Sequence, residues 1–340
     1  MSEAKAFLCG GEWKTNDDIF EVKNPYSGEV VGKVCRAGDT DAEEATAAAV
    51  EAFEETRRMP TYRRAEILAG IHRRLLERKE ELARTISAEN GKPINEARVE
   101  AVRAAKVFEI ATEETKRVGG EFIPMDLQPG AEGRYAIFRR FPLGPIIGIT
   151  PFNFPLNLAS HKVAPALAAG NTIVIKPASA TPLSSLLLAE ICEEAGVPRG
   201  GISVLPATSA TAEKMAIDER YKLLTFTGSP AVGWALKGKA GMKAVTLELG
   251  GNAGVIVNSD ADVKHAAERC RAGGFAFAGQ VCISLQRIYV HSDIFDEFAD
   301  EFVKLVNELK VGDPSQDDTQ LGPMINEGEA QRALGWIQEA

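Results

Sequence analysis

The sequence predicts an α/β protein built on a doubly wound parallel sheet, and three observations carry that expectation. Between residues 146 and 257, short apolar runs alternate with segments of helical periodicity. The runs, among them IIGIT, NTIVIKP and GISVLP, are continuously apolar, as strands covered on both faces must be. The segments between them are long enough for the crossover helices that parallel pairing requires. Ligands on such sheets bind at the carboxyl ends of the strands, so the residues just after each strand are the ones to inspect.

The elements follow in order. Residues 1–35 read as short strands and turns, with Pro-Tyr-Ser-Gly turning the chain between two β-rich runs. From Asp39, DTDAEEATAAAVEAFEET and TYRRAEILAGIHRRLLERKEELARTISAEN place Ala, Leu and Ile at helical spacing. Asp39 and Thr61 stand as caps and Gly91 lies just past the end. A third helix spans roughly 94–117, and RYAIFRRFPLG (134–144) returns to strand character. The alternating region then runs through helices LNLASHKVAPALAAG, PLSSLLLAEICEEAG, SATAEKMAID and PAVGWALKGKAG, and closes on strands KLLTFTGS and KAVTLELGG. After Gly251 come a strand NAGVIV, a helix over 260–272, a turn holding Cys282, a strand LQRIYVH and an amphipathic helix over 293–309. This change of pattern starts a second domain near 250.

Bulk properties agree with two domains, since 340 residues exceed what one core usually holds. Apolar content of 45% and charged content of 26% suit a globular protein in water. A net charge of −9 argues against nucleic acid or an anionic membrane as the main partner. The run FPLGPIIGITPFNFPLNLA has no charge, but four prolines and two glycines interrupt it, which makes it a poor membrane helix. No stretch of MSEAKAFLCGGEWK is apolar enough for a signal peptide. The five cysteines (9, 35, 192, 270 and 282) lack metal-ligand or disulfide spacing, which fits a reducing cytoplasm.

At the strand ends stand Asn153 in TPFNFP, Lys176 in VIKPAS, Gly228 and Ser229 in FTGSPAVG, and Glu248 in LELGG. Taken singly, the Asn reads as a turn residue, the Lys as solvated and the Gly-Ser pair as a helix cap. Glu248, between leucines, reads as a buried carboxylate in need of a partner or a raised pKa. Cys282, in GGFAFAGQVCISLQ, could be a small core hydrophobe like most free cysteines. Taken together they form a chemical set. A thiol can attack a carbonyl, an Asn amide can donate to the oxyanion, a carboxylate can activate water, and a Gly-Ser helix start with a lysine can hold a dinucleotide.

TPFNFPLN, KVAPALAAGNTIVIKPAS, FTGSPAVG, LELGGNAGVIV and GQVCIS resemble the aldehyde dehydrogenase superfamily, in order and spacing, over essentially the whole chain. Within it the chain looks most like the non-phosphorylating glyceraldehyde-3-phosphate and lactaldehyde dehydrogenase branch. The resemblance implies a Rossmann-like cofactor domain (1–123 and 144–250), a bridging hairpin (124–143) that pairs subunits into a homodimer or homotetramer, and part of a catalytic domain (251–340). It assigns Cys282 as nucleophile, Asn153 and the Cys282 N–H as oxyanion donors, and Glu248 as the base that hydrolyses the thioester. For NAD or NADP it implies a site of Thr150, Pro151, Phe152, Asn153, Lys176, Ala178, Ser179, Phe226, Thr227, Gly228, Ser229, Val232, Glu248, Leu249 and Gly250.

For substrate, Arg103 matches a position that contacts anions in that branch, whereas Val281 replaces its second arginine. One guanidinium in place of a clamp suggests a small, polar, unphosphorylated aldehyde of the lactaldehyde or glyceraldehyde kind. Alternatively, Arg103 is one more exposed helix charge. Ser179 stands where NAD-specific members carry a Glu, which predicts that NADP is accepted; a simpler role would be capping the next helix. Family members continue past the position of Ala340 with a second Glu on the nicotinamide ribose and a final oligomerisation strand. That leaves a fragment, or a short homologue that only binds cofactor or a partner, as the alternative. A redox-free cysteine acyltransferase is disfavoured, because no His lies in a motif near Cys282.

Overall fold

The computed structural model describes residues 3–340. The first 35 residues supply β1 (Phe7–Cys9), β2 (Glu12–Lys14), β3 (Ile19–Lys23) and β4 (Val30–Cys35). Helices α1 (Asp39–Thr56), α2 (Thr61–Glu77), α3 (Lys79–Asn90) and α4 (Ile94–Thr115) follow. The single helix expected over 61–90 is thus two. The break falls at Arg78, whose guanidinium turns to Glu81 and Glu190. Arg78 N–H still donates to Arg74 O at 2.9 Å and Leu82 N–H to Arg78 O at 3.0 Å, so the apolar spacing runs through the break unmarked.

Neither expected cap forms. The N-cap of α1 is Gly38, whose N–H donates to the Asp41 carboxylate at 2.9 Å. Pro60 precedes α2, and the Thr61 hydroxyl instead accepts from Arg64 Nη2 at 3.3 Å. The stop at Gly91 is as expected: its φ is 74°, and a Cβ there would meet Pro323 at 2.7 Å.

A hairpin of β5 (Gly120–Pro124) and β6 (Tyr135–Arg139) leads into the alternating region. There β7 (Ile146–Ile149), α5 (Pro155–Ala168), β8 (Ile173–Lys176), α6 (Leu183–Glu194), β9 (Ile202–Val204), α7 (Ser209–Ile217), β10 (Leu223–Thr227), α8 (Pro230–Lys239) and β11 (Ala244–Glu248) alternate as anticipated. They build a seven-stranded sheet in the order β11-β10-β7-β8-β9-β1-β2. The five strands from β7 to β11 are parallel, while β1 and β2 add antiparallel at the edge. The chain winds outward from β7 to β9, then returns to β10 on the other side of β7. That reversal opens a crevice at the carboxyl ends of β7 and β10.

The helix after β8 has no side-chain cap of its own. Ser179, the expected cap, is exposed. Instead Glu89 on α3, fully buried, accepts the N–H groups of Leu183 and Ser184 at 2.7 and 3.1 Å, and burial pushes its carboxyl up to about 8.

Beyond the sheet lie β12 (Ala253–Val257), α9 (Val263–Phe275), β13 (Leu285–Val290), α10 (Phe295–Asn307) and α11 (Glu327–Glu339). Strands β12 and β13 pair in parallel, and a separate small apolar cluster of Val257, Val263, Ala267, Cys270 and Phe298 lies beneath them. Cys270 is therefore part of this core. No helix among the described residues is long and apolar enough to cross a membrane.

Candidate active site

Cys282 lies on the turn between α9 and β13 and is exposed, unlike the four other cysteines. The approach to it is strained. Phe277 and Ala278 have φ of 45° and 53°, a left-handed conformation that costs a side-chain-bearing residue on the order of 1–3 kcal/mol. Local bonds hold it in place. Phe277 is buried and its N–H donates to Glu96 Oε1 at 3.4 Å. Gln280 returns its side-chain amide to Phe277 O at 3.2 Å, and its Oε1 accepts from Ile325 N–H at 2.9 Å.

Asn153 follows β7, and its Nδ2 donates to Gln280 O at 2.8 Å, beside the cysteine turn. Its Oδ1 is buried without a hydrogen-bond partner. Glu248 ends β11, and three residues later Gly251 passes so close to the turn that a Cβ would lie 2.8 Å from Cys282 O. Three remote segments therefore meet at one end of the sheet.

The expectation of a buried Glu248 is not met. β11 is the edge strand, and along it Ala244, Thr246 and Glu248 are exposed while Val245 and Leu247 are half-buried. Next to Glu248 the structure places a residue that sequence reasoning passed over. Lys162 on α5 is buried, and its Nζ donates to Thr225 and Thr227 hydroxyls at 3.0 and 2.9 Å. Burial pushes its ammonium down to about 8, with the Glu248 charge opposing the shift. The signal was a lone lysine inside LNLASHKVAPALAAG, a segment otherwise free of Lys, Arg, Asp and Glu. Partial desolvation, with Arg103 and Lys162 nearby, also holds His161 below the usual imidazole range.

The other strand ends line up beside this set. Thr227 pairs with Glu248, Phe226 with Ile149, and Ile149 with Lys176. Lys176 is not solvated; it is buried, and burial lowers its pKa. Ser229 occupies the N-cap of α8, but its side chain makes no capping bond. Gly233 passes Leu249 so closely that a Cβ would lie 2.5 Å from that side chain. Thr150 is buried with its hydroxyl unpartnered, and Ser179, Val232 and Gly250 are exposed along the same rim. Pro151, Phe152 and Ala178 are half-buried, and Gly228 N–H donates to Glu248 O at 3.0 Å. Two expected cofactor side chains turn inward instead. Phe226 packs beneath Gly228 and Gly233, and the Thr227 hydroxyl is taken by Lys162. A free helix N-terminus beside a buried cation suits a ligand with phosphates and hydroxyls.

Residues 13–340 match the model of the aldehyde dehydrogenase family. The chain belongs to that family. Its members oxidise aldehydes with NAD(P), and the donor set above fits such a cofactor. The chain is 43% identical over 331 residues to 3-sulfolactaldehyde dehydrogenase of Priestia aryabhattai, covering 97% of this chain and 69% of that protein. It is 39% identical to lactaldehyde dehydrogenase of Methanocaldococcus jannaschii, covering 97% of this chain and 70% of that protein. The structure of NADP-dependent glyceraldehyde-3-phosphate dehydrogenase from Bacillus halodurans, complexed with NADP, superposes with a TM-score of 0.95 at 32% identity, over all of this chain (100%) and 72% of that one.

In this aldehyde dehydrogenase a cleft of about 660 Å³ opens beside the cysteine turn, between α4, α9 and the segment after α10. Arg103 and Arg271 both line it, together with Phe154 and Ala276. Asp317 and Asp318 at its rim pair with Arg98 and Lys310, which leaves Arg103 and Arg271 without an ion pair among the described residues. The Nε of Arg271 is buried and unpartnered. α9 thus places Arg271 in the same cleft as Arg103, a guanidinium that no motif around Cys282 announces, while Val281 is half-buried on the cysteine turn.

Proposed function

We propose that this chain oxidises a small polar aldehyde to its carboxylic acid through a covalent adduct on Cys282. The observation that carries the reading is the meeting of Cys282, Asn153 and Glu248, drawn from three segments, at the carboxyl end of the sheet. The Cys282 thiolate attacks the aldehyde carbon, and the alkoxide so formed is stabilised by the Asn153 amide and the Cys282 N–H. Bound NAD(P) supplies the hydride acceptor that turns this adduct into a thioester. Glu248, open to solvent, takes a proton from water as that water attacks the thioester carbonyl, and the thiolate leaves with the acid released. Lys176, Ser179 and the α8 N-terminus hold the nucleotide. Free cysteines throughout fit a cytoplasmic enzyme, and exposed Phe122, Tyr135 and Ile137 on the β5–β6 hairpin fit pairing with a second copy. The test is reduction of NAD(P) on adding lactaldehyde; cofactor binding without aldehyde-dependent reduction would mark a silent homologue.

The cleft sharpens the substrate. Two guanidiniums without carboxylate partners favour a polar aldehyde that also bears an anion, such as the sulfonate of 3-sulfolactaldehyde, the substrate in the name of the Priestia relative. Arg271→Met should raise KM for 3-sulfolactaldehyde about tenfold, the scale of one charge-assisted bond, and leave propionaldehyde unchanged. Equal losses with both aldehydes would remove Arg271 from substrate recognition. Val281, not an arginine, still stands beside Cys282, so the proposed class stays unphosphorylated, and a specificity constant far higher for glyceraldehyde 3-phosphate than for lactaldehyde or sulfolactaldehyde would overturn it.

For the cofactor, Ser179 places an exposed hydroxyl, not a carboxylate, three residues after Lys176. A 2′-phosphate meets no like charge there, so NADP should bind. Ser179→Glu should weaken NADP by about tenfold or more through charge repulsion and leave NAD nearly unaffected. Titration of both cofactors checks it, and wild-type binding of NAD alone would end the idea.

A further inference from the structure

We propose that Lys92 and Glu100, a buried ion pair at the head of α4, are positioning residues that fix the Asn153 amide against the cysteine turn. The inference rests on reading Asn153 as the oxyanion donor. Neither side chain has any solvent exposure, and the two are in direct contact. Their remaining bonds go to the two backbone segments that carry the site. Lys92 Nζ donates to Asn153 O at 2.7 Å. The same ammonium lies 3.7 Å from the Phe154 ring centre and 4.8 Å from that of Phe277, the strained residue of the cysteine turn. Glu100 Oε1 accepts the N–H groups of Leu156 and Asn157, both at 3.1 Å, at the start of α5, which has no side-chain cap. The residues around 90 assist: Asn90 Oδ1 accepts Lys92 N–H at 2.9 Å and its Nδ2 donates to Phe152 O at 3.4 Å.

One ion pair thus holds the backbone on both sides of the Asn153 side chain and packs on the turn that Asn153 bonds. Stability alone does not account for it, because a buried ion pair is commonly no better than a well-packed apolar pair of the same volume. Geometry does. With Asn153 O and the α5 N-terminus pinned, the amide has one N–H on Gln280 O and the other free for an oxyanion.

The test separates positioning from stability. Lys92→Met alone leaves a buried carboxylate and Glu100→Gln weakens the cap, so either variant should lower Tm. The double variant Lys92→Met/Glu100→Gln removes both charges while the Gln Oε1 can still accept from Leu156 and Asn157, and it should recover Tm relative to Lys92→Met. Its kcat for p-nitrophenyl acetate hydrolysis, which needs thiol and oxyanion donor but no cofactor, should stay about 10- to 100-fold below wild type, as expected for displacement of about 1 Å at a reacting centre. KM and NAD(P) affinity should be unchanged. Recovery of kcat together with Tm would overturn the proposal and leave a merely structural pair. Should the wild-type chain hydrolyse no ester, the catalytic reading fails separately. The Asn153 side-chain amide resonances then decide: shifted in the double variant they support the positioning role, unmoved they refute it.

Discussion

Cys282→Ala is expected to abolish aldehyde oxidation and ester hydrolysis together, by about 10⁴-fold or more, because on the proposed mechanism every covalent step passes through this sulfur. Cofactor affinity should be retained. So should the fold, since the thiol is exposed and surface substitutions usually change stability by roughly 0.5 kcal/mol or less. Selective alkylation gives an independent reading. Cys9, Cys35, Cys192 and Cys270 are buried, and burial pushes the Cys9 thiol up to about 11 and that of Cys192 higher still. Iodoacetamide should therefore add one carboxamidomethyl group, at Cys282, with loss of activity in proportion. Turnover that survives the alanine variant, or inactivation that tracks alkylation of another cysteine, would displace Cys282 from the mechanism.

What could be read in advance followed from rules that act locally or at the level of winding. Continuous apolar runs identified the parallel strands, and the strand-end rule picked out Asn153, Lys176 and Glu248, which the winding brings to one rim. The inward turn of Thr227 was not legible, because its partner Lys162 sits 65 residues away on a helix whose other residues suggest only packing. The exposure of Glu248 was missed for a different reason. LELGG reads the same in a central strand as at an edge, and β11 becomes an edge only once β10 has crossed to the far side of β7. Arg271 and the Lys92–Glu100 pair depend on which helix faces meet across the cleft and beneath Asn153. Neither has a sequence pattern of its own, because no local period relates a lysine before α4 to a carboxylate within it and a carbonyl 61 residues on. The kink at Arg78 was hidden because the hydrogen-bond ladder, and with it the apolar period, continues through it.

Glu248→Gln should separate the two halves of the reaction. The substitution keeps the shape of the side chain and removes its basicity, and at an exposed edge position it leaves no buried group unpaired. The first turnover should proceed, since attack by Cys282 and loss of hydride do not call on this carboxylate in the proposed sequence. Deacylation should slow by about 10²- to 10⁴-fold, the range over which a positioned general base acts. NAD(P)H would then appear as a burst equal to the concentration of active sites, followed by a slow steady state, and the intact protein would carry the mass of one acyl group on Cys282. In wild type the product should be the free acid even with coenzyme A present, because a base poised for water deacylates the enzyme first. Acyl-CoA as the main product would show that the thioester is resolved by another thiol. A slowed first turnover with no burst would place Glu248 before acylation, as the group that activates the Cys282 thiol.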